Sequence, residues 1–184
     1  MKQFLFILLL KFSDFSTISD ANAISTQINF CGLDIKSNIR GNYQDVAKQD
    51  NGAFLQSARS NLFIASNLEN CPLRNLLYFK TSSIGHIAVN LHGKIIIQFL
   101  QTYEINRIRF WMYDLDARIT DIQIFTTGSD RVTETIIFDG LVKPGVATVK
   151  FNDQLVSKIR FYNKAGNSLY EHMSIIKIEA YYGF

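Results

Sequence analysis

At 184 residues the chain has room for one domain with a short appendage and is too short for two full catalytic domains. Charged residues make up 19% and hydrophobic ones 47%, with 15 Phe and 8 Tyr, so a core can form and a disordered tail is excluded as the main state. The formal net charge of +3 is spread without a Lys/Arg run, which argues against nucleic-acid binding, and no apolar run reaches the roughly 20 residues of a membrane-spanning helix.

The N-terminus reads Met1-Lys2-Gln3 and then seven apolar residues, Phe4 to Leu10, with the small-x-small pattern Ala21-Asn22-Ala23 further on. That is the outline of a signal peptide over residues 1–23, cleaved after Ala23, and it implies an extracytoplasmic protein. Against it, Lys11 interrupts the apolar run, and Asp14 and Asp20 lengthen the stretch before the cleavage site. The other reading is an uncleaved N-terminal extension whose Phe4 to Phe12 segment docks on a partner, which would make the chain an intracellular subunit of a larger assembly. No Asn-x-Ser/Thr sequon is present. The cysteines are two, Cys31 and Cys71, too few for a four-cysteine zinc site. In an oxidising compartment they could join in one bridge, stabilising by roughly 3 to 4 kcal/mol through loop closure; two separate thiols are the alternative.

Further along, Ala53 to Asn61 has adequate helix formers and a cap in Asp50 or Asn51, which predicts a short helix. Residues 65–75 read as a surface loop ended by Pro72. From about residue 85 the pattern changes to the short alternating period of strands. Strands are expected over Lys94–Phe99, Ile105–Tyr113, Ile119–Phe125, Glu134–Phe138, Ala147–Phe151, Val156–Tyr162 and Met173–Tyr182. In the third of these, Thr120, Ile122 and Ile124 share one side, and Ile119, Asp121, Gln123 and Phe125 the other. Turn residues punctuate the series at Gly128-Ser129-Asp130, Asp139-Gly140, Pro144-Gly145, Asn152-Asp153 and Gly166-Asn167. Many short strands with turns between them imply an all-β sandwich or barrel.

Catalytic signatures are missing from the sequence. His86, His92 and His172 stand in no metal-binding or zinc-protease pattern, and there is no nucleophile elbow, phosphate loop or dinucleotide fingerprint. Each histidine reads as a surface or hydrogen-bonded residue, and no metal-ligand set emerges. The densest polar cluster is Tyr113-Asp114-Leu115-Asp116-Ala117-Arg118. Two carboxylates there could act as an acid/base pair or hold a cation, but calcium needs further oxygen ligands. An ion-paired turn, in which Arg118 neutralises Asp114 or Asp116, is the preferred reading.

This cluster and its flanks also carry a resemblance. Gly85-His86-Ile87, Gly93 to Phe99 and Ile105 to Arg118, followed by the alternating Ile119 to Phe125, resemble a discoidin, or coagulation-factor type C, domain. The similarity is strongest to the kind found in adaptor proteins behind BTB and BACK domains, whose apolar strand ends in an aromatic-Asp-x-Asp-x-Arg turn. Val156 to Phe161, Asn163 and His172 to Glu179 resemble that family's closing strands. The resemblance covers residues 25–182, and nothing in the 184 residues corresponds to the BTB and BACK regions themselves.

It implies a galactose-binding-like jelly-roll β-sandwich with one or two short helices, without catalytic activity. Such domains bind sugars, lipid head groups or proteins through loops at one end, sometimes with a structural calcium ion; no other cofactor is implied. The expectation is a module that binds a protein or glycan through 38–50, 66–75 and 163–171, with Tyr43, Arg74, Asn163 and Tyr170 as ligand-binding candidates. Tyr113, Asp114, Asp116 and Arg118 form the structural turn. Peripheral membrane-surface binding is the further alternative.

Overall fold

The computed structural model describes residues 37–56, 61–63, 72–73 and 86–184. The chain divides into two units, Met1–Lys36 and Ser37–Phe184, and the described residues belong to the second. The expected signal peptide or extension at 1–23, Cys31, Cys71, Arg74 and most of the 66–75 loop lie outside the described residues.

Among the described residues, eight strands follow two short 3-10 turns, Asn38–Tyr43 and Gln49–Asn51: β1 Phe54–Leu55, β2 Asn61–Phe63, β3 Ile87–Val89, β4 Lys94–Met112, β5 Thr120–Thr127, β6 Glu134–Val142, β7 Gly145–Asn167 and β8 Met173–Tyr181. All pairings are antiparallel, in the order β2-β3-β8-β4-β7-β5-β6, with β1 added to β4. Two strands are long enough to serve both layers. Arg107–Met112 of β4 and Gly145–Lys150 of β7 lie with β8, β3 and β2, whereas Lys94–Gln98 of β4 and the C-terminal part of β7 lie with β1, β5 and β6. This is the galactose-binding-like jelly-roll sandwich.

The bends sit where the ladder slips. Phe99, Leu100, Gln101 and Thr102 of β4 face Ser157, and Phe151, Asn152 and Asp153 of β7 face Asn106. Bulges of this kind bend a strand and let it change sheets. Across the second, the buried positions of β4 change parity, from Ile95, Ile97, Phe99, Tyr103 and Ile105 to Ile108, Phe110 and Met112. The side chain of Asn106 pins this corner, donating to Asp153 Oδ1 at 2.9 Å and accepting from the Gly183 amide at 2.8 Å. Between the layers, Phe110 of β4 meets Phe161 of β7 edge-to-face at 5.2 Å, and both are fully buried. Thr120, Ile122 and Ile124 of β5 all point inward.

Three expectations change. Residues 94–112 and 145–167 are single bent strands where pairs of shorter ones were expected, because wide bulges replace the turns; Asn152-Asp153 is part of one of them. Asp139-Gly140 and Gly166-Asn167 are not turns between strands either, since all four residues pair with β5 and β7 ends only at Asn167. The helix expected over Ala53–Asn61 does not form at its described residues. Gly52, left-handed at φ 80°, closes the 49–51 turn, and Phe54 and Leu55 then pair with Gln98 and Ile97. The tertiary ladder outweighs a weak local helix preference.

Candidate functional site

β8 separates two ends of the sandwich. Tyr170 precedes its first residue, and Tyr43 packs beyond its last one, against Tyr182 and Phe184 at 6.0 and 5.0 Å. Nine extended residues put these two tyrosines about 30 Å apart. The structure therefore does not bring Tyr43 together with Tyr170 and Asn163 in one site.

At the Tyr170 end, the β4–β5 loop and the β7–β8 loop converge on Arg118. Its guanidinium pairs bidentately with Asp116, with Nε 2.6 Å from Oδ1 and a second, very short contact to Oδ2. Tyr113 lies 4.3 Å from the guanidinium carbon and Tyr170 lies 5.0 Å from it, so the cation sits between two aromatic rings. Arg118 is only 7% exposed, so its charge is compensated inside the cluster. The Arg118 contacts also hold the Asp116 carboxyl below the usual range. His86 adds a ring 4.6 Å from Tyr113.

The Arg118–His172 contact of the cluster fixes a tautomer. Arg118 Nη1 is 3.2 Å from His172 Nε2 and can only donate, so Nε2 presents its lone pair and the ring proton sits on Nδ1. Burial, and then the Arg118 charge, push the His172 pKa down, with Asp116 opposing. The sign follows: the folded state holds His172 neutral, so its contribution is complete above about 6.5, the unfolded value, and declines as pH falls through the lower folded value. Urea denaturation across this range should show stability falling toward acid, with a shallower fall in His172→Gln. The Asp116 contribution disappears in a separate window, below its ordinary value of 3.8.

Tyr170 is 53% exposed yet held in place. Its ring stacks on His172 at 5.1 Å and 15°. Asn167 Oδ1 accepts from the amides of Leu169 and Tyr170 at 2.9 and 2.8 Å, closing an Asx turn, and Asn167 N donates to Tyr170 O at 2.7 Å. Gly166 has φ +78°, and a Cβ there would lie 2.8 Å from Tyr170 O, so this position needs glycine. Ser168 ties the loop to Ile119 in both directions, through its amide and its hydroxyl.

Asn163 is wholly buried beneath this loop. It donates to Val89 O at 3.2 Å and Glu171 O at 2.9 Å, and accepts from Gly166 N at 2.8 Å. It positions the loop and offers nothing to a ligand directly. Sequence reasoning set the histidines aside. The signal that could have drawn attention to His172 was its place beside Tyr170 and Glu171 in a loop already marked for binding.

The resemblance also implies a structural calcium ion; among the described residues no three His, Cys, Asp or Glu side chains converge. Asp116 is committed to Arg118, whereas Asp45 accepts from the Ala47 and Ala180 amides through Oδ1 and its buried Oδ2 has no hydrogen-bond partner among the described residues.

The fold is a galactose-binding-like β-sandwich with an aromatic cluster around the Arg118–Asp116 ion pair at one end. No protein-family model and no curated protein matches the chain. Among solved structures it is similar to CBM32-1 from a family 31 glycoside hydrolase from Clostridium perfringens, at 14% identity and TM-score 0.56 over 76% of this chain and 98% of that one. It is also similar to a selenomethionine-labelled mutant of chitosan-binding module 1 from a chitosanase/glucanase of Paenibacillus sp. IK-5, at 11% identity and TM-score 0.54 over 76% and 98%. At these identities the likeness is one of fold.

Proposed function

We propose that the chain is a non-catalytic glycan-binding module that reads a sugar against the exposed ring of Tyr170. The observation that carries this is a half-exposed tyrosine locked by His172 stacking and an Asx turn. A rigid aromatic presents contact area at little entropic cost, and its polar surround can satisfy hydroxyl groups. The fold shared with modules described as carbohydrate- and chitosan-binding supports the same reading. Arg118 has spent its charge on Asp116, and Glu171 stands exposed nearby. Neutral or amino sugars therefore suit this surface better than acidic ones.

Tyr170→Ala should weaken binding to neutral oligosaccharides on an array about tenfold, the loss of one stacking contact, while Tyr170→Trp retains it. Unchanged binding in Tyr170→Ala would exclude this ring as the reader.

One observation favours a second reading. Leu115, Ile119 and Leu169 are exposed by 42, 38 and 57% on the two loops that meet at Arg118, an apolar fringe suited to a membrane surface. Vesicle pelleting that depends on Leu169, with no glycan bound, would transfer the site to that role. The acidic groups around Arg118 oppose attachment to anionic lipid, which ranks this reading second.

A further inference from the structure

At the opposite end of β8 a cavity of about 520 Å³ opens between the loop from Asn38 to Gly52 and the bulge of β4. Its size lies within the range of small-molecule sites, roughly 300 to 1,000 Å³. Primary amides dominate its lining, from Asn42, Gln44, Gln49, Asn51 and Gln101. The side-chain amides of Asn42, Gln44 and Gln49 make no hydrogen bond to any described residue. Each amide carries two donors and an acceptor, a match for hydroxyl groups that donate and accept in turn. Tyr103, 7% exposed, lines the cavity deep in the fold, and Leu100, 68% exposed within the bulge, supplies an apolar rim. Asp50 is the charged residue of the lining and no lysine or arginine joins it, so an anion meets a carboxylate and no counter-charge.

The wall is built in advance of any ligand. Gly41, Asn42 and Tyr43 are left-handed in succession, at φ 57, 53 and 61°, a conformation L residues rarely adopt. A Cβ on Gly41 would lie 2.2 Å from Val46 Cγ1, so the run needs its glycine. Hydrogen bonds hold it: Asn42 N to Ser37 O at 2.9 Å and Gln44 N to Gly41 O at 3.1 Å. Asn51 Nδ2 donates to Asp45 O at 2.5 Å and closes the loop across the cavity. Disfavoured backbone that the surroundings hold in place gathers at binding sites.

We infer that this amide-lined cavity is a second binding site, for a neutral polyhydroxylated ligand of the sugar class, independent of the Tyr170 surface. Amides and a single apolar rim suit a pyranose, whose hydroxyls meet the amides while its C–H face lies on Leu100. Tyr43 stands outside the lining, and its ring serves the C-terminal aromatic contacts instead.

The test uses the full 184-residue chain, isotope-labelled, with the side-chain amide signals of Gln44, Gln49 and Gln101 followed by NMR. The probes are methyl galactoside, methyl glucoside, N-acetylglucosamine and mannitol, with galacturonic acid as the charged control. At least one neutral probe should move these signals to saturation, in wild type and equally in Tyr170→Ala, while galacturonate leaves them still. Gln44→Met with Gln49→Met should weaken that response about tenfold, as expected for two lost hydrogen bonds, at unchanged thermal stability. Shifts confined to Tyr170 and His172 would overturn this site and leave the first standing. Pocket shifts without any at Tyr170 would do the reverse. Silence of the pocket amides to all four neutral probes would also overturn it.

Discussion

Asn163→Ala should lower the unfolding free energy by about 4 kcal/mol, the cost of leaving two buried partners and one part-buried partner unpaired at 1 to 3 kcal/mol each. Val89 O, Glu171 O and Gly166 N all depend on this one amide, at a site with no solvent exposure. The loss reaches function too, because the Gly166–His172 loop carries Tyr170. Asn163→Asp keeps the acceptor for Gly166 but places a carboxyl in a fully buried site. Burial raises the pKa of that carboxyl above its unfolded value of about 3.9. The variant should therefore be most stable in acid and lose stability as pH rises through the raised value, opposite in sign to the His172 effect. Denaturant midpoints across pH decide it; a wild-type midpoint for Asn163→Ala would show that the clamp is dispensable.

Phe161→Ala is expected to cost 3 to 5 kcal/mol, the range for removing a large aromatic from a core. Phe161 is fully buried, faces Phe110 across the layers, and pairs through its backbone with Ile95 on one side and Ile124 on the other. Phe125 lies on the opposite face of β5, partly exposed, beneath the Arg160 guanidinium 3.8 Å away. Phe125→Ala should cost about 1 kcal/mol, no more than a cation–π contact with some surface packing. A comparable loss in both variants would mean that the interior is not divided as described.

The inward face of β5 was legible from its sequence, because Thr120, Ile122 and Ile124 alternate with polar or exposed neighbours as a strand buried on one side requires, although the strand runs on through the buried Thr126 and Thr127. The lengths of β4 and β7 were not. Whether a chain turns or bulges at Gln101 or Asn152 depends on the strand beside it, and Ser157 and Asn106, which face those bulges, lie far off in sequence. The same limit applies to the site. Asp116 and Arg118 are two residues apart, and their pairing can be read locally. His172, 54 residues from Arg118, joins them only when β8 returns beside β4. Tyr43 and Tyr170 looked equivalent as loop tyrosines, and the length of β8 is what assigns them to different ends.

β7 also has a consequence for cooperativity. Its 23 residues bond to β4 along most of their length and to β5 over the C-terminal part, so one continuous strand belongs to both layers. Peeling it away from one layer bares the ladder and the Phe110–Phe161 contact of the other. Neither layer is expected to melt alone, so the Tyr170 end and the Asn38–Gly52 end should share one unfolding transition.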